Sequence, residues 1–188
     1  NIFFATESGN IRRNALSDFE SVRANGKIAM KLNEGDALIG VSVCNAEDHF
    51  LLATANGKAL RCPVEKCRVF KGRNSSGVRG IMLQDDDKVI SMTILNGMES
   101  DTEVKMAYLK IPMEIRGAIK ALESQEGMAE LLKDVETELS HDAIYQWAQE
   151  EEFLAVVTEN GYGKRSSAYE YRITNRGGKG VINIVMSE

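Results

Sequence analysis

Arg13, Arg61 and Arg165 each close a nine-residue phrase that the chain writes three times: ATESGNIRR at 5–13, ATANGKALR at 53–61 and VTENGYGKR at 157–165. Every copy has Thr in second place and Ser-Gly or Asn-Gly in fourth and fifth. Further cations accompany the arginine, namely Arg12, Lys58 and Lys164. A second set lies in the loop downstream of each phrase: Arg23 and Lys27, then Lys71, Arg73 and Arg79, then Arg172, Arg176 and Lys179. These loops are rich in Gly, Asn and Ser (RANGK, KGRNSSGVRG, TNRGGKG). Small residues let a phosphate backbone approach main-chain N–H groups, while Arg and Lys neutralise its charge. The chemistry on offer is therefore contact with a polyanion, tolerant of sequence and strongly salt-dependent. No helix carries Asn, Gln and Arg at base-reaching positions, so nothing points to base readout. The plainer alternative is that surface strands carry Lys and Arg for solubility. Recurrence at one place in three copies argues against it for Arg13, Arg61 and Arg165.

Catalytic patterns are sparse. There is no G-x-x-x-x-G-K-[ST] and no H-E-x-x-H, and Gly161-Tyr162-Gly163 lacks a third glycine in dinucleotide register. The two histidines, His49 and His141, do not assemble with the Ser, Cys and Asp residues into a triad. Cys44, Cys62 and Cys67 have no CxxC spacing and read as reduced thiols. Asp85, Asp86 and Asp87 could suggest a metal, but they stand where the first copy has Glu34-Gly35-Asp36, and a solvated turn is expected. The expected ligand set is thus no catalytic residue, no metal and no cofactor within this chain.

The elements that must position the cations follow from the same phrases. An apolar, β-rich run (IFFAT, FLLAT, FLAVVT) meets the Gly turn and returns as a basic strand, which predicts three hairpins. Asn-Gly suggests a type I′ turn, with positive φ at both central residues. Each turn is followed by a glycine and a short alternating strand: GKIAMKL at 26–32, GVRGIML at 77–83 and GVINIVM at 180–186. Two copies then continue into an acidic turn and a further apolar strand, NEGDALIGV at 33–41 and QDDDKVISM at 84–92. Gly9 and Gly57 are 48 residues apart, and several short strands at that period predict propeller-like blades. Such blades stack because one small sheet cannot cover both its faces.

Net charge is −5, but it is unevenly spread. Residues 98–152 hold 14 acidic and 5 basic side chains, and the remainder 14 and 18. The acidic block has apolar residues at helical spacing: Ile115, Ile119 and Leu122, then Leu131, Leu132, Val135 and Leu139, with Ser140 placed to cap a helix carrying Ile144 and Trp147. Two or three helices are therefore expected as an insertion between the second and third repeats. The insertion reads as a solvated decoration, a docking surface or an electrostatic regulator of the basic loops. As a decoration, its deletion would leave the repeats folded and raise affinity for a polyanion. The organisation expected is two blades at 1–97, an acidic helical insertion at 98–152 and part of a further blade at 153–188. No apolar run reaches membrane-spanning length. The opening NIFFATESGN lacks both an initiator Met and a signal-peptide pattern, which suggests an excised piece of a longer chain.

With these features in place, ATESGNIRRNALSDFESVRANGKIAMKLNEGDALIGV, the NSSGVRGIML–DDDKVIS stretch and TENGYGKRSSAYEYRITNRGGKGVINI closely resemble the C-terminal domain of the DNA gyrase A subunit. The resemblance covers 1–95 and 153–188. It implies a mainly β fold, a partial β-pinwheel of propeller-like, strand-exchanging four-stranded blades with an α-helical insertion. It implies an outer rim that wraps double-stranded DNA, and the recurring cations expected on that rim are Arg12, Arg13, Lys58, Arg61, Lys71, Arg73, Arg79, Lys164, Arg165, Arg176 and Lys179. The implied partners are the rest of the gyrase A chain and the gyrase B chain, in a bacterial, cytoplasmic, nucleoid-associated holoenzyme with no membrane partner. The implied role is DNA wrapping during ATP-dependent negative supercoiling, with ATP and Mg²⁺ used elsewhere in that enzyme. Asn175-Arg176-Gly177-Gly178-Lys179-Gly180 is similar to the last residues of the family's Gln-Arg-Arg-Gly-Gly-Lys-Gly box, but repeat order places it in a later blade. The equivalent domain of topoisomerase IV and a propeller-like protein-interaction scaffold are the alternatives.

Overall fold

A computed structural model describes residues 1–97 and 101–186; the expected start of the insertion at 98–100 lies outside the described residues. The chain divides into two compact units, one of Asn1–Gly97 with Tyr171–Glu188 and one of Met98–Glu170. The sequence-drawn boundary at 152/153 falls inside the second unit.

All three phrases form hairpins: β1 (Ile2–Thr6) with β2 (Asn10–Asn14), β4 (His49–Thr54) with β5 (Lys58–Pro63), and β9 (Phe153–Val157) with β10 (Gly163–Ser167). The turn differs from the expected type I′. Gly9, Gly57 and Gly161 have φ of 82°, 75° and 80°, whereas no residue before them in the turn has positive φ. Each glycine N–H donates to the carbonyl of the Thr three residues back, at 2.9, 3.1 and 3.0 Å. This is a tight turn closed by one left-handed glycine, the pattern of a three-residue loop with a bulge. It also explains the invariable Thr. The hydroxyls of Thr6, Thr54 and Thr158 accept from the N–H groups of Asn10, Lys58 and Tyr162 at 3.2–3.3 Å, supplying a partner the turn leaves missing.

In the first unit the hairpins are widened by β3 (Leu38–Val43) on β1 and β8 (Val89–Leu95) on β4, each pairing irregular at the same place, Ala5/Thr6 and Ala53/Thr54. The repeats then trade strands. β6 (Val69–Phe70) and β7 (Val78–Arg79), from the second repeat, pair with β2 of the first, and β11 (Val181–Ile182), from the third, pairs with β5 of the second. The sheets therefore run β3-β1-β2-β6, with β7 also on β2, and β11-β5-β4-β8. At each joint the turn glycine carbonyl is clasped by two amides of the next repeat: Gly9 by Gly80 and Ile81, Gly57 by Asn183 and Ile184. A Cβ on Gly57 would lie 2.3 Å from the Ile184 carbonyl oxygen, so only glycine permits the approach. The core holds Phe3, Ile11, Phe50, Leu52, Leu60, Ile81 and Val89, with Phe3 and Phe50 stacked at 4.8 Å. Phe4 points the other way, to Phe19 at 5.8 Å, so β1 is covered on both faces.

The second unit has four helices among its described residues, α1 (Thr102–Leu109), α2 (Met113–Lys120), α3 (Met128–Leu132) and α4 (His141–Glu150). Helix α1 was not foreseen, because TEVKMAYL lacks an apolar stripe. Asp101 caps it, accepting from Glu103 N–H at 2.9 Å, and Ser140 caps α4 as expected, accepting from Ala143 N–H at 3.2 Å. Ile119, Met128, Leu132, Ile144 and Trp147 are buried together with Tyr108 and Tyr169. Tyr169, just beyond β10, packs edge-on to Trp147 at 5.0 Å and donates to its carbonyl at 3.1 Å. Arg116 and Glu151 form an ion pair, both side chains at most 4% exposed, and Tyr108 donates to the second Glu151 oxygen at 2.7 Å. Burial and that carboxylate push the Tyr108 hydroxyl pKa well up. The helices thus bury a core of their own, which Tyr169 from the segment just beyond β10 joins, and they form one compact unit with β9–β10. Among the described residues no helix is long and apolar enough to cross a membrane.

Candidate nucleic-acid interface

The three equivalent arginines sit in one register, opposite Phe3, Leu51 and Ala155. Their surroundings differ. Arg13 is 7% exposed and Arg61 4%, while Arg165 is exposed. Arg61 Nε–H donates to His49 Nδ1 at 3.1 Å and Nη2 to the Asn96 carbonyl at 3.5 Å. Burial, then the Arg61 charge, lower the His49 pKa to about 4, which keeps its acceptor nitrogen unprotonated. Arg165 lies 4.9 Å over the Phe153 ring, with Nη2 3.8 Å from Met113 Sδ. The expectation that Arg13 and Arg61 project from a rim is therefore corrected: a side chain flanked by strands on both sides of its hairpin is enclosed by them.

Arg12 is corrected in the same way, being 1% exposed. Its Nε–H donates to Asn14 Oδ1 at 2.7 Å, Nη1 to the Ser75 carbonyl and hydroxyl, and Nη2 to the Gly72 carbonyl. Asn14 extends the grip, donating to the Phe70 and Gly72 carbonyls at 3.2 and 3.0 Å. Together they pin the backbone of the 70–75 loop. Burial lowers the Arg12 pKa, opposed by Asp18 and reinforced by Arg68 and Arg73.

Most of the remaining cations are accessible. Lys71, Arg79, Lys164, Arg176 and Lys179 are exposed, and Lys58 and Arg73 are half-buried. Two loops from different repeats meet. Arg176 donates from Nη1 to the Arg79 carbonyl at 3.2 Å and from Nε to the Lys66 carbonyl at 3.1 Å, while Gly177 N–H reaches the Gly80 carbonyl at 2.6 Å. Lys58 and Lys179 line one small cavity of about 50 Å³ with Gln84 and Asp87. Arg68 was missed. It is exposed and stands 4.3 Å over the Phe70 ring, whose aromatic face Arg12 also approaches at 4.8 Å. The signal was the alternation Arg68-Val69-Phe70-Lys71, which precedes the Gly-rich loop rather than lying in it. None of the four described ion pairs uses Lys71, Arg73, Arg79, Arg176 or Lys179. Their charge is left for solvent or a ligand.

The acidic turns have a structural task of their own, although Asp87 also lies beside Lys58 and Lys179. Asp87 accepts from the N–H of Asn56 at 3.0 Å, just as Asp36 accepts from Ser8 N–H at 2.9 Å, so each turn clamps the hairpin before it. Cys62 and Cys67 are buried and free, their thiol pKa values pushed up to about 11 by that burial.

Sheets that trade short strands with the next repeat, and cationic Gly-rich loops at each exchange, define a propeller-type repeat domain. The family model of the DNA gyrase C-terminal domain, a beta-propeller, matches residues 1–45, 48–96 and 152–188, and the chain belongs to that family. The DNA gyrase A subunit of Rickettsia felis is 52% identical over 188 residues, which is 100% of this chain and 20% of the relative. Its Salmonella typhimurium counterpart is 34% identical, over 100% of this chain and 15% of its own length. The chain thus spans about a fifth or less of the curated relatives it matches. Among solved structures, a DNA gyrase A C-terminal domain superposes with a TM-score of 0.60 at 19% identity, covering 96% of this chain and 42% of that one. A C-terminal domain of DNA topoisomerase IV gives 0.62 at 17%, covering 96% and 40%. At such identities the likeness concerns the fold.

Proposed function

We propose that this chain is a non-catalytic DNA-bending surface, part of the DNA-wrapping region of the gyrase A chain. The observation that carries the reading is the joint between Arg79 and Arg176: two Gly-rich loops from successive repeats, held by main-chain bonds, present cations that no described ion pair engages. Repeating that joint around a propeller gives a curved cationic track. Bending 20–30 base pairs costs on the order of 1–6 kcal/mol, which additional phosphate contacts offset. Phosphate binding falls to exposed Lys71, Arg79, Arg176 and Lys179 and to Arg73, and in the other unit to Lys164 and Arg165. Lys58 contributes from a half-buried position, Arg12 and Arg61 act from inside through their bonds to loop carbonyls, Asn14 and His49, and Arg13 is enclosed. In the whole enzyme the chain would serve ATP-dependent negative supercoiling in the bacterial cytoplasm. The remainder of the gyrase A chain and the gyrase B chain would supply cleavage, ATP and Mg²⁺ chemistry. The names of the relatives favour gyrase over topoisomerase IV.

The test is a salt titration of binding to random-sequence duplex. Arg79→Glu with Arg176→Glu should weaken binding at least tenfold and flatten the salt dependence, by about 0.9 in logarithmic slope for each phosphate no longer neutralised. Affinity that does not vary with salt in the parent chain would favour the protein-scaffold reading.

A further inference from the structure

We infer that Asn25 and Asn160 are sites of spontaneous modification, where water converts the side-chain amide to a carboxylate as the protein ages. The chain holds four Asn-Gly steps, at 25–26, 56–57, 96–97 and 160–161. A glycine has no side chain to screen its main-chain nitrogen, so that nitrogen can reach the preceding asparagine side chain. The glycine nitrogen gives up its proton and attacks Asn Cγ. A C–N bond forms, the side-chain nitrogen leaves as ammonia, and the product is a cyclic succinimide. Water then opens the ring at either carbonyl, giving aspartate or its isomer with an extra methylene in the main chain. The step needs no co-reactant besides water.

Attack requires the turn to open, and the fold closes two of the four steps. Gly57 is buried, its carbonyl accepts from the Asn183 and Ile184 amides at 2.8 and 3.2 Å, and Asp87 holds the Asn56 N–H. Gly97 packs so tightly on Glu47 that a Cβ would lie 1.4 Å from its carbonyl oxygen, and the Asn96 carbonyl accepts from Arg61. The other two steps have no such packing. Asn25, Gly26, Asn160 and Gly161 are exposed, and a Cβ on either glycine would meet nothing within 4 Å. The turn bond itself does not discriminate. Gly26 N–H donates to the Arg23 carbonyl at 2.9 Å and Gly161 N–H to the Thr158 carbonyl at 3.0 Å, but Gly57 N–H does the same to Thr54 at 3.1 Å. What differs is the neighbouring main chain that must be displaced before the turn can open. Ser8 stands in the first hairpin where Asn56 and Asn160 stand in the others, so that turn has no amide to lose. The new carboxylate arises between Arg23 and Lys27 at one site and shortly before Lys164 and Arg165 at the other, offsetting positive charge there. Its effect on duplex binding rests on the DNA reading above; the hydrolysis does not.

The experiment ages the full chain in mildly alkaline buffer below its unfolding temperature and follows amide loss residue by residue with peptide mass spectrometry. Asn25 and Asn160 should convert at least about tenfold faster than Asn56 and Asn96, and all of them at similar rates in urea, where no opening is needed. Isoaspartate at the two sites should accept labelled methyl from S-adenosylmethionine through an isoaspartyl methyltransferase. The aged parent should lose roughly threefold in duplex affinity at low salt, and Asn25→Ser/Asn160→Ser, aged alike, should lose none. Conversion of Asn56 or Asn96 in the folded chain as fast as that of Asn160 overturns the inference. So does conversion of Asn25 and Asn160 no faster than that of exposed Asn45, which precedes Ala46. Conversion with duplex affinity unchanged overturns the charge effect. An unaged parent that binds no duplex overturns the DNA reading and leaves the modification, read by mass, standing.

Discussion

Hairpins β4–β5 and β9–β10 carry the same phrase, the same Thr-supported turn and the same left-handed glycine, and they rest on different cores. The first is sandwiched between β8 and β11, its turn carbonyl clasped by Asn183 and Ile184. The second is a two-stranded sheet in the helical unit, where Tyr169, just beyond β10, joins the core of α1–α4. A Cβ on Gly57 would strike the next repeat, but one on Gly161 would meet nothing within 4 Å. Arg61 in the first is enclosed with His49, while Arg165 in the second stays exposed over Phe153. The local phrase fixes the hairpin; the neighbours decide whether its arginine is a strut or a surface charge.

The comparison breaks most sharply on deletion of 98–152. A lone two-stranded hairpin is marginal in water, so the amides of 153–167 should lose all hydrogen-exchange protection while those of β1, β2, β4 and β5 keep theirs. Persistent protection in β9 and β10 would return the helices to the status of decoration. This replaces the expectation that deletion leaves every repeat folded.

Next in size, Arg116→Met leaves Glu151 buried without its counter-charge, only Tyr108 still donating to it, and should cost about 3–5 kcal/mol. Urea unfolding followed by Trp147, the single tryptophan, reads this in the helical unit. Pairing it with Glu151→Leu and Tyr108→Phe should recover most of the loss, since the lone charge and the hydroxyl that donated to it are removed together. A cost that persists unchanged in the triple variant would mean the ion pair is not its source.

The smallest effect sharpens the strut. His49 has a folded pKa of about 4 against an ordinary 6.5, so the unfolded state binds the proton more tightly between those values. Its contribution is complete well above pH 6.5 and falls as pH drops toward 4, a loss of about 2.5 kcal/mol by roughly pH 4.5. His49→Gln, which keeps an acceptor for Arg61, should show a shallower fall in unfolding free energy than the parent as pH drops from neutral into that range. Parallel curves would remove His49 as the titrating group.

Much of this was legible in the residues. Period-two apolar runs ending in Ser-Gly or Asn-Gly marked the hairpins, and the Ser140 cap with Ile144 and Trp147 marked α4. The turn type was misread because Asn-Gly is compatible with both closures and the Thr hydroxyl selects between them. Arg68 went unnoticed because its role depends on Phe70, whose ring is shared with Arg12, an arginine from the preceding repeat.

By itself the sequence determined the repeat, the strand pattern, the cationic Gly-rich loops and the separate helical segment, because each depends on local spacing and backbone preference. Tertiary structure alone decided which arginines face water, which loop meets which, and what covers the third hairpin. Those outcomes rest on strands exchanged between repeats and on side chains packed across long stretches of chain. Desolvation follows from the whole assembly of neighbours, and no short stretch of residues encodes it.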